Sequence, residues 1–117
     1  MTDERRSQEC ARIAEQNDAF RHQRPGGGQG KWVYTKAVDD KGAEFVAACM
    51  SAVTAYDDFT EENDPYGTHE MGFMEVMDEK VWWKIDLYNR AYDAGSAAPT
   101  SLADTRRVLT ILLPSDY

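Results

Sequence analysis

Four residues in the second half of the chain have side chains that could bind a metal ion or exchange protons: Asp64, His69, Glu70 and Asp86. Hard cations such as Mg²⁺ prefer oxygen ligands, and zinc takes a tetrahedral set of nitrogen, sulfur or oxygen ligands. One histidine with three carboxylates could therefore serve a small metal-assisted hydrolase or a nucleic-acid-modifying enzyme. The spacing matches neither an EF-hand loop nor the His-Glu-x-x-His motif of zinc proteases.

The same residues also have a purely structural interpretation. The segment 63–67, Asn-Asp-Pro-Tyr-Gly, is typical of a turn, because it combines Asx hydrogen bonding, the fixed φ of proline and a glycine. His69 can brace that turn, and Asp86 can pair with a basic side chain such as Arg106 or Arg107. Because a catalytic site requires convergent geometry, structural bracing is the favoured hypothesis, and we expect no cofactor.

A second kind of chemistry is indicated by the acids around this turn, since 57–64 contains five carboxylates and no base. The whole chain has a net charge of −8, and residues 37–104 carry fifteen acids against four bases. Such a field repels nucleic acid and membrane phosphates and steers the protein toward basic surfaces. We therefore predict a protein partner with a basic surface, with neither direct nucleic-acid binding nor membrane binding. Solubility alone is the alternative explanation of the charge.

The predicted partner surface combines these acids with acids and aromatic residues nearby. Its members are Asp57, Asp58, Glu61, Glu62, Asp64, Tyr66, Asp78, Glu79 and Trp82. If the partner is held at a site that does not bind DNA, Trp82, Tyr66 and Tyr88 are the expected anchors, because aromatic residues dominate interface energetics. A homodimer formed through an aromatic strand face is a further hypothesis.

Hydrophobic periodicity and turn residues predict six elements in the order α-β-α-β-β-β. Helices are predicted at 3–21 and 43–59, a glycine-rich linker at 25–30, a loop at 91–104, and strands at 31–38, 72–77, 80–89 and 107–113. This order predicts an α+β fold in which two helices pack on a four-stranded, mainly antiparallel sheet. Apolar residues on both faces of 107–113 predict a central strand that is covered on both sides. A tight hairpin is predicted at Asp78-Glu79.

Length and composition favour one domain over residues 1–117, with a helical segment at 3–21 and an α+β body at 31–117. No apolar run has the length of a membrane helix, and the first residues have no secretory signal, so we expect a cytoplasmic protein. Cys10 and Cys49 both lie on apolar helix stripes and are expected to be reduced.

Four motifs, in chain order, resemble those of a bacterial family, the domain of unknown function numbered 3768. They are Asn17-Asp18-Ala19-Phe20-Arg21, the segment 63–73, Trp83-Lys84-Ile85-Asp86-Leu87-Tyr88, and the segment 107–113 with Tyr117. Together these motifs extend over nearly the whole chain.

The resemblance implies no established chemistry for these residues. The family is similar to the products of small genes on plasmids, phages and integrated elements of proteobacteria. These genes often neighbour anti-restriction genes. That context implies an anti-defence role, most plausibly an anti-CRISPR inhibitor that binds a CRISPR effector or a restriction enzyme stoichiometrically at a basic groove. Because duplex DNA carries one charge per about 1.7 Å, clustered carboxylates can imitate it only in part.

Overall fold

The computed structural model describes residues 3–23 and 29–117, and its centre is a four-stranded sheet. The strands are β1 (Gly30–Tyr34), β2 (Met71–Val76), β3 (Glu79–Tyr88) and β4 (Arg106–Leu112). Their order across the sheet is β1-β4-β3-β2. β3 is antiparallel to both of its neighbours, whereas β1 is parallel to β4. The α+β class, the mainly antiparallel sheet and the central position of the last strand are confirmed.

Three α-helices pack on one face of this sheet: α1 (Asp3–His22), α2 (Lys36–Asp39) and α3 (Ala43–Ala55). The core between the layers joins Phe20, Val38 and Cys49 of the helices to Trp83 of β3 and Leu109 of β4. A short 3₁₀ helix, Pro114–Asp116, follows β4. None of the helices within the described ranges combines the length and the apolar character needed to cross a bilayer.

The opposite face of the sheet has no α-helix on it among the described residues. Val108 and Thr110 of β4 are therefore only half-buried on that face, and Phe73 of β2 is exposed. The prediction that the last strand is covered on both sides is confirmed only at the end of β4, where Leu112 is 3 % exposed opposite Trp82; the rest of that face is half-buried, because the single helical layer covers the other face.

α1 confirms the amphipathic helix predicted for the start of the chain. Ala14, Asn17 and Phe20 are buried, and Cys10 and Ile13 are half-buried on the same stripe. Most of the predicted glycine-rich linker, positions 25–28, lies outside the described residues, while Gly30 begins β1.

The predicted strand at 31–38 ends early, and its second half is a helix that the sequence analysis missed. β1 ends at Tyr34, and the hydroxyl of Thr35 then accepts a hydrogen bond from the Val38 N–H at 3.4 Å, which caps α2. A threonine at this position favours the start of a helix. Burial of Val38 in the core then outweighs the β propensity of the segment.

α3 ends at Ala55, four residues before the predicted boundary at Phe59. Tyr56 has an extended backbone. The guanidinium group of Arg21 in α1 donates to the carbonyl oxygens of Val53 at 2.6 Å and Tyr56 at 3.0 Å, so it satisfies the end of the helix. The acids from Asp57 onward therefore lie in a loop and not on a helix.

The β2–β3 hairpin is confirmed, but its turn is one residue earlier than predicted. Met77 and Asp78 form the two-residue loop, with φ of 49° and 65°, as a type I′ turn requires. Glu79 is already part of β3, opposite Val76.

Both cysteines are free thiols, and Cys49 is completely buried in the core. Burial raises the pKa of the Cys49 thiol to about 11, from an ordinary value of 9.0. Between these two pH values the folded protein keeps the thiol proton and the unfolded chain loses it. This group's contribution to stability is therefore complete below pH 9, and it is lost as the pH rises through 11.

We therefore expect wild-type protein to lose about 2 kcal/mol more stability than Cys49→Ala between pH 8 and about pH 10.5, since each pKa unit is worth about 1.4 kcal/mol. Urea unfolding at the two pH values measures this difference. Cys49→Ala is less stable at both pH values because it leaves a cavity, but that loss does not vary with pH. An equal loss in both proteins would show that the thiol does not cause the alkaline destabilisation.

Candidate partner-binding site

Four acids form one exposed turn after α3, which we call the acidic turn: Asp57, Asp58, Glu61 and Glu62. No ion pair between described residues involves any of the four. Charges so close in the chain repel one another. The turn must therefore be held by other interactions.

Hydrogen bonds from Thr60 and Asn63 hold the acidic turn. The Thr60 N–H donates to Asn63 Oδ1 at 2.8 Å, and the Asn63 N–H donates to Thr60 Oγ1 at 3.2 Å. The Asn63 amide also donates to the Asp58 carbonyl oxygen at 2.8 Å, where the Tyr56 hydroxyl donates as well, at 2.9 Å. Such local side-chain bonds fix loop backbones, so the four carboxylates are presented in a defined arrangement.

Asp64, the fifth acid of the predicted surface, points inward. It is only 9 % exposed. One carboxylate oxygen accepts from the Thr68 N–H and the other from the His69 N–H, each at 3.2 Å. Asp64 therefore closes the turn that follows it, as the structural interpretation of the sequence predicted.

The other two predicted acids, Asp78 and Glu79, are exposed at the β2–β3 hairpin. Glu79 pairs with Lys41, which precedes α3, at 3.2 Å. The acidic turn follows the other end of α3. A helix of 13 residues is about 20 Å long, so the predicted acids form two groups separated by about the length of α3.

His69 lies between two carboxylates and against an aromatic ring. Its Nδ1 donates to the Asp18 carboxylate at 2.9 and 3.0 Å, and its Nε2 is 3.8 Å from Asp64. The imidazole stacks parallel to the Phe59 ring, with ring centres 3.8 Å apart. Its backbone φ is 54°, a value uncommon outside glycine. Histidine and carboxylates thus converge here, but His69 is held by α1 as well as by its own turn.

The role of α1 in this site was not predicted from the sequence. Buried Asn17 donates from its amide to the Thr68 carbonyl oxygen at 2.9 Å. Buried Arg21 pairs with Asp18 at 2.9 Å, and its guanidinium lies 5.4 Å from the Phe59 ring centre and 5.0 Å from that of Trp83. The available signal was a set of polar residues on the apolar stripe of α1, because a buried polar group requires a partner.

A groove of about 290 Å³ lies beside the acidic turn, between the 63–71 loop and the outer face of β3. We call it the tyrosine groove, because Tyr66 and Tyr117 line it and are 72 % and 76 % exposed. Glu70, Lys84 and Asp86 line it as well. Lys84 pairs with Asp86 at 2.7 Å, and this hydrogen bond raises the pKa of Lys84.

The candidate metal ligands are divided between two places. Asp64 and His69 meet at the base of the turn, whereas neither Glu70 nor Asp86 forms a hydrogen bond or ion pair with the His69 ring among the described residues. Over the described ranges 3–23 and 29–117, no three histidine, cysteine or carboxylate side chains are placed to hold a metal ion. Asp86 pairs with Lys84 and not with the arginines suggested by the sequence.

Trp82 belongs to an aromatic row on the helix-free face of the sheet. Its ring packs edge-on against Phe73 at 5.3 Å and against Tyr117 at 5.5 Å. Because Tyr117 also lines the tyrosine groove, this row and the groove form one continuous surface with the acidic turn. Tyr88 lies further along β3 and packs against Tyr92, 6.4 Å away.

Residues 34–116 match the model of a family described as "Protein of unknown function (DUF3768)". No curated protein and no solved structure matches the chain. The matched range contains the acidic turn and every residue that lines the tyrosine groove except Tyr117. α1 lies before it, although Asn17, Asp18 and Arg21 contact the loops within it.

Proposed function

We propose that this chain, which belongs to the DUF3768 family, is a binding protein that docks on a basic protein surface. The observation that carries this proposal is the acidic turn, where Asp57, Asp58, Glu61 and Glu62 are exposed and without ion pairs among the described residues. Some exposed acids elsewhere, such as Asp40 and Glu79, have lysine partners, and no other stretch of six residues in the chain contains four acids. Charges without a partner in the folded monomer are available to a partner of opposite charge.

The tyrosine groove supplies the second requirement of a specific interface, which is anchoring. Energetic hot spots are usually aromatic or arginine residues in partly closed pockets. An arginine or lysine of the partner could insert between Tyr66 and Tyr117, where aromatic faces attract cations. Glu70 at the groove edge would add a carboxylate without an ion pair in the described chain.

For the partner we propose a nucleic-acid-binding defence protein, a CRISPR effector or a restriction enzyme, whose basic groove the acidic turn occupies. Support comes from the resemblance to mobile-element proteins and from the surplus of acids in the middle of the chain. Inhibition of this kind is stoichiometric, so the protein would titrate its target and not act in trace amounts.

Reversing Asp57, Asp58, Glu61 and Glu62 to lysine is expected to weaken partner binding by about 100-fold, because attraction becomes repulsion at four positions. The measurement is capture of nucleic-acid-binding proteins from a host that carries CRISPR and restriction systems, followed by titration of the captured enzyme's activity. Raising the salt concentration should weaken wild-type binding in the same direction.

The matched control is the double variant Glu15→Lys/Asp39→Lys, which changes two exposed acids outside this surface. It is compared with the double variant Glu61→Lys/Glu62→Lys. Both double variants change the net charge equally, so a global charge effect would weaken both to the same degree. Full inhibition by the fourfold variant would refute the acidic turn as the binding surface.

A further inference from the structure

A cavity of about 260 Å³ lies between the second half of α1 and the start of β4. Ala19, Phe20 and Leu102 give it an apolar wall, and glutamine side chains, including Gln16 and Gln29, give it amides. It contains no residue of the acidic turn or of the tyrosine groove. What distinguishes it is the buried guanidinium group of Arg107.

Arg107 is a buried cation without an anion beside it. The residue is 3 % exposed. Nε donates to Asn17 Oδ1 at 2.8 Å and Nη2 to Gln16 Oε1 at 3.2 Å, and both acceptors are neutral amides. No carboxylate of the described residues forms an ion pair with it. Buried charges in proteins are normally paired.

Burial lowers the pKa of Arg107, as expected for a cation that has lost water without gaining an opposite charge.

Part of this guanidinium remains available for a ligand. Arginine has five N–H donors, and amides of the protein accept two of them. Nη1 of Arg107 has no acceptor among the described residues. It does not belong to the fully buried polar atoms that lack a partner, so it retains access to solvent. Because Arg107 lines the cavity, its free donors are accessible from there.

We propose that this cavity binds a small organic oxyanion, with a carboxylate or phosphate group on Arg107 and an apolar part against Phe20 and Leu102. The planar fork of a guanidinium matches both oxyanions through paired hydrogen bonds. Arg106 does not line the cavity, but its Nη1 donates to Oε1 of Gln29 in the cavity wall at 3.5 Å and so orients that amide. The ligand supplies the negative charge that the described residues do not place beside Arg107.

Titration of the full chain with inorganic phosphate, phenyl phosphate and benzoate tests this site, at constant ionic strength. The readout is the NMR resonance of the Arg107 Nε–H, which reports binding at this side chain. Phenyl phosphate or benzoate should bind at least tenfold tighter than inorganic phosphate, because the ring buries apolar surface. The stronger of the two identifies the oxyanion. The proposal is overturned if no probe moves the resonance at about 10 mM, where a millimolar Kd is nearly saturated.

A pair of variants at one exposed helix position supplies the matched control. Ala19→Glu places a carboxylate in the cavity wall, where it can pair with Arg107, whereas Ala19→Gln adds nearly the same volume without charge. Both residues are good helix formers, so both variants should fold. We expect Ala19→Glu to weaken probe binding at least tenfold relative to Ala19→Gln. Equal binding by the two variants would overturn the proposal, and neither result depends on the acidic turn.

Discussion

Replacing Arg21 by methionine is expected to lower the free energy of unfolding by about 3–5 kcal/mol. Arg21 is 1 % exposed, and its guanidinium donates to the carbonyl oxygens of Val53 and Tyr56 at the end of α3. Methionine fills similar space but cannot donate: the Tyr56 carbonyl loses the guanidinium, at about 1–3 kcal/mol for a buried unsatisfied group, while the Val53 carbonyl keeps only the Tyr56 N–H at 3.3 Å. Asp18 loses its arginine partner at the same time. Urea denaturation followed by tryptophan fluorescence measures the change.

Arg12→Met is the matched control, because Arg12 is exposed on the same helix. It should change stability by no more than about 0.5 kcal/mol. Arg21→Lys should fall between the two, since one ammonium cannot reproduce the planar, several-armed contact of a guanidinium. A loss below 1 kcal/mol for Arg21→Met would mean that α1 does not fix the end of α3.

Gly72→Ala is expected to cost about 3 kcal/mol or more, although it adds a single methyl group. Gly72 of β2 lies opposite Trp83 of β3, and a Cβ at this position would overlap Nε1 and Cε2 of the indole and lie 2.8 Å from Cζ2. Trp83 cannot move away, because it is fully buried and packs edge-on against Tyr56 and Phe59. The strands would have to separate. Thermal and urea unfolding with near-UV circular dichroism measure both the stability and the tryptophan packing.

Gly95→Ala controls for the loss of a glycine in itself. A Cβ there meets nothing closer than the Leu87 carbonyl oxygen at 4.0 Å, so we expect a change within about 0.5 kcal/mol. If Gly72→Ala were as stable as Gly95→Ala, with an unchanged near-UV spectrum, the close contact between β2 and Trp83 would be incorrect.

Much of the fold was predictable because its apolar patterns are long and regular. The alternation in β3 and the stripe of α3 locate the buried faces correctly, since period 2 and period 3.6 leave little ambiguity over ten or more residues. The errors lie where one side chain decides a boundary. Thr35 starts α2, and Arg21, 32 positions before Val53, satisfies the end of α3. The Thr35 cap is local but competes with the β propensity of its segment, whereas the distant Arg21 contact has no local signal.

The candidate site was predictable only in part, for a similar reason. The exposure of the acidic turn was predictable from the sequence, because a stretch of six residues that contains four acids cannot form a buried face. The inward orientation of Asp64 follows from the hydrogen bonds that it accepts from the N–H groups of residues 68 and 69, in agreement with the turn predicted from Asx hydrogen bonding. The tyrosine groove forms because Tyr66 and Tyr117 lie on one surface. Three strands, β2, β3 and β4, lie between these two residues in the chain, and no sequence pattern predicts that they are close in space.

The order of the strands has a consequence for how the protein assembles as it is made. β4 lies between β1 and β3, yet it follows both of them in the chain. While the chain emerges from the ribosome, β1 has no neighbour to pair with until residues 106–112 appear, and the β2–β3 hairpin exposes one strand edge for the same period. Such long-range closure is slow, and it leaves apolar strands open to wrong contacts. Efficient folding therefore depends on how quickly the chain captures its last strand.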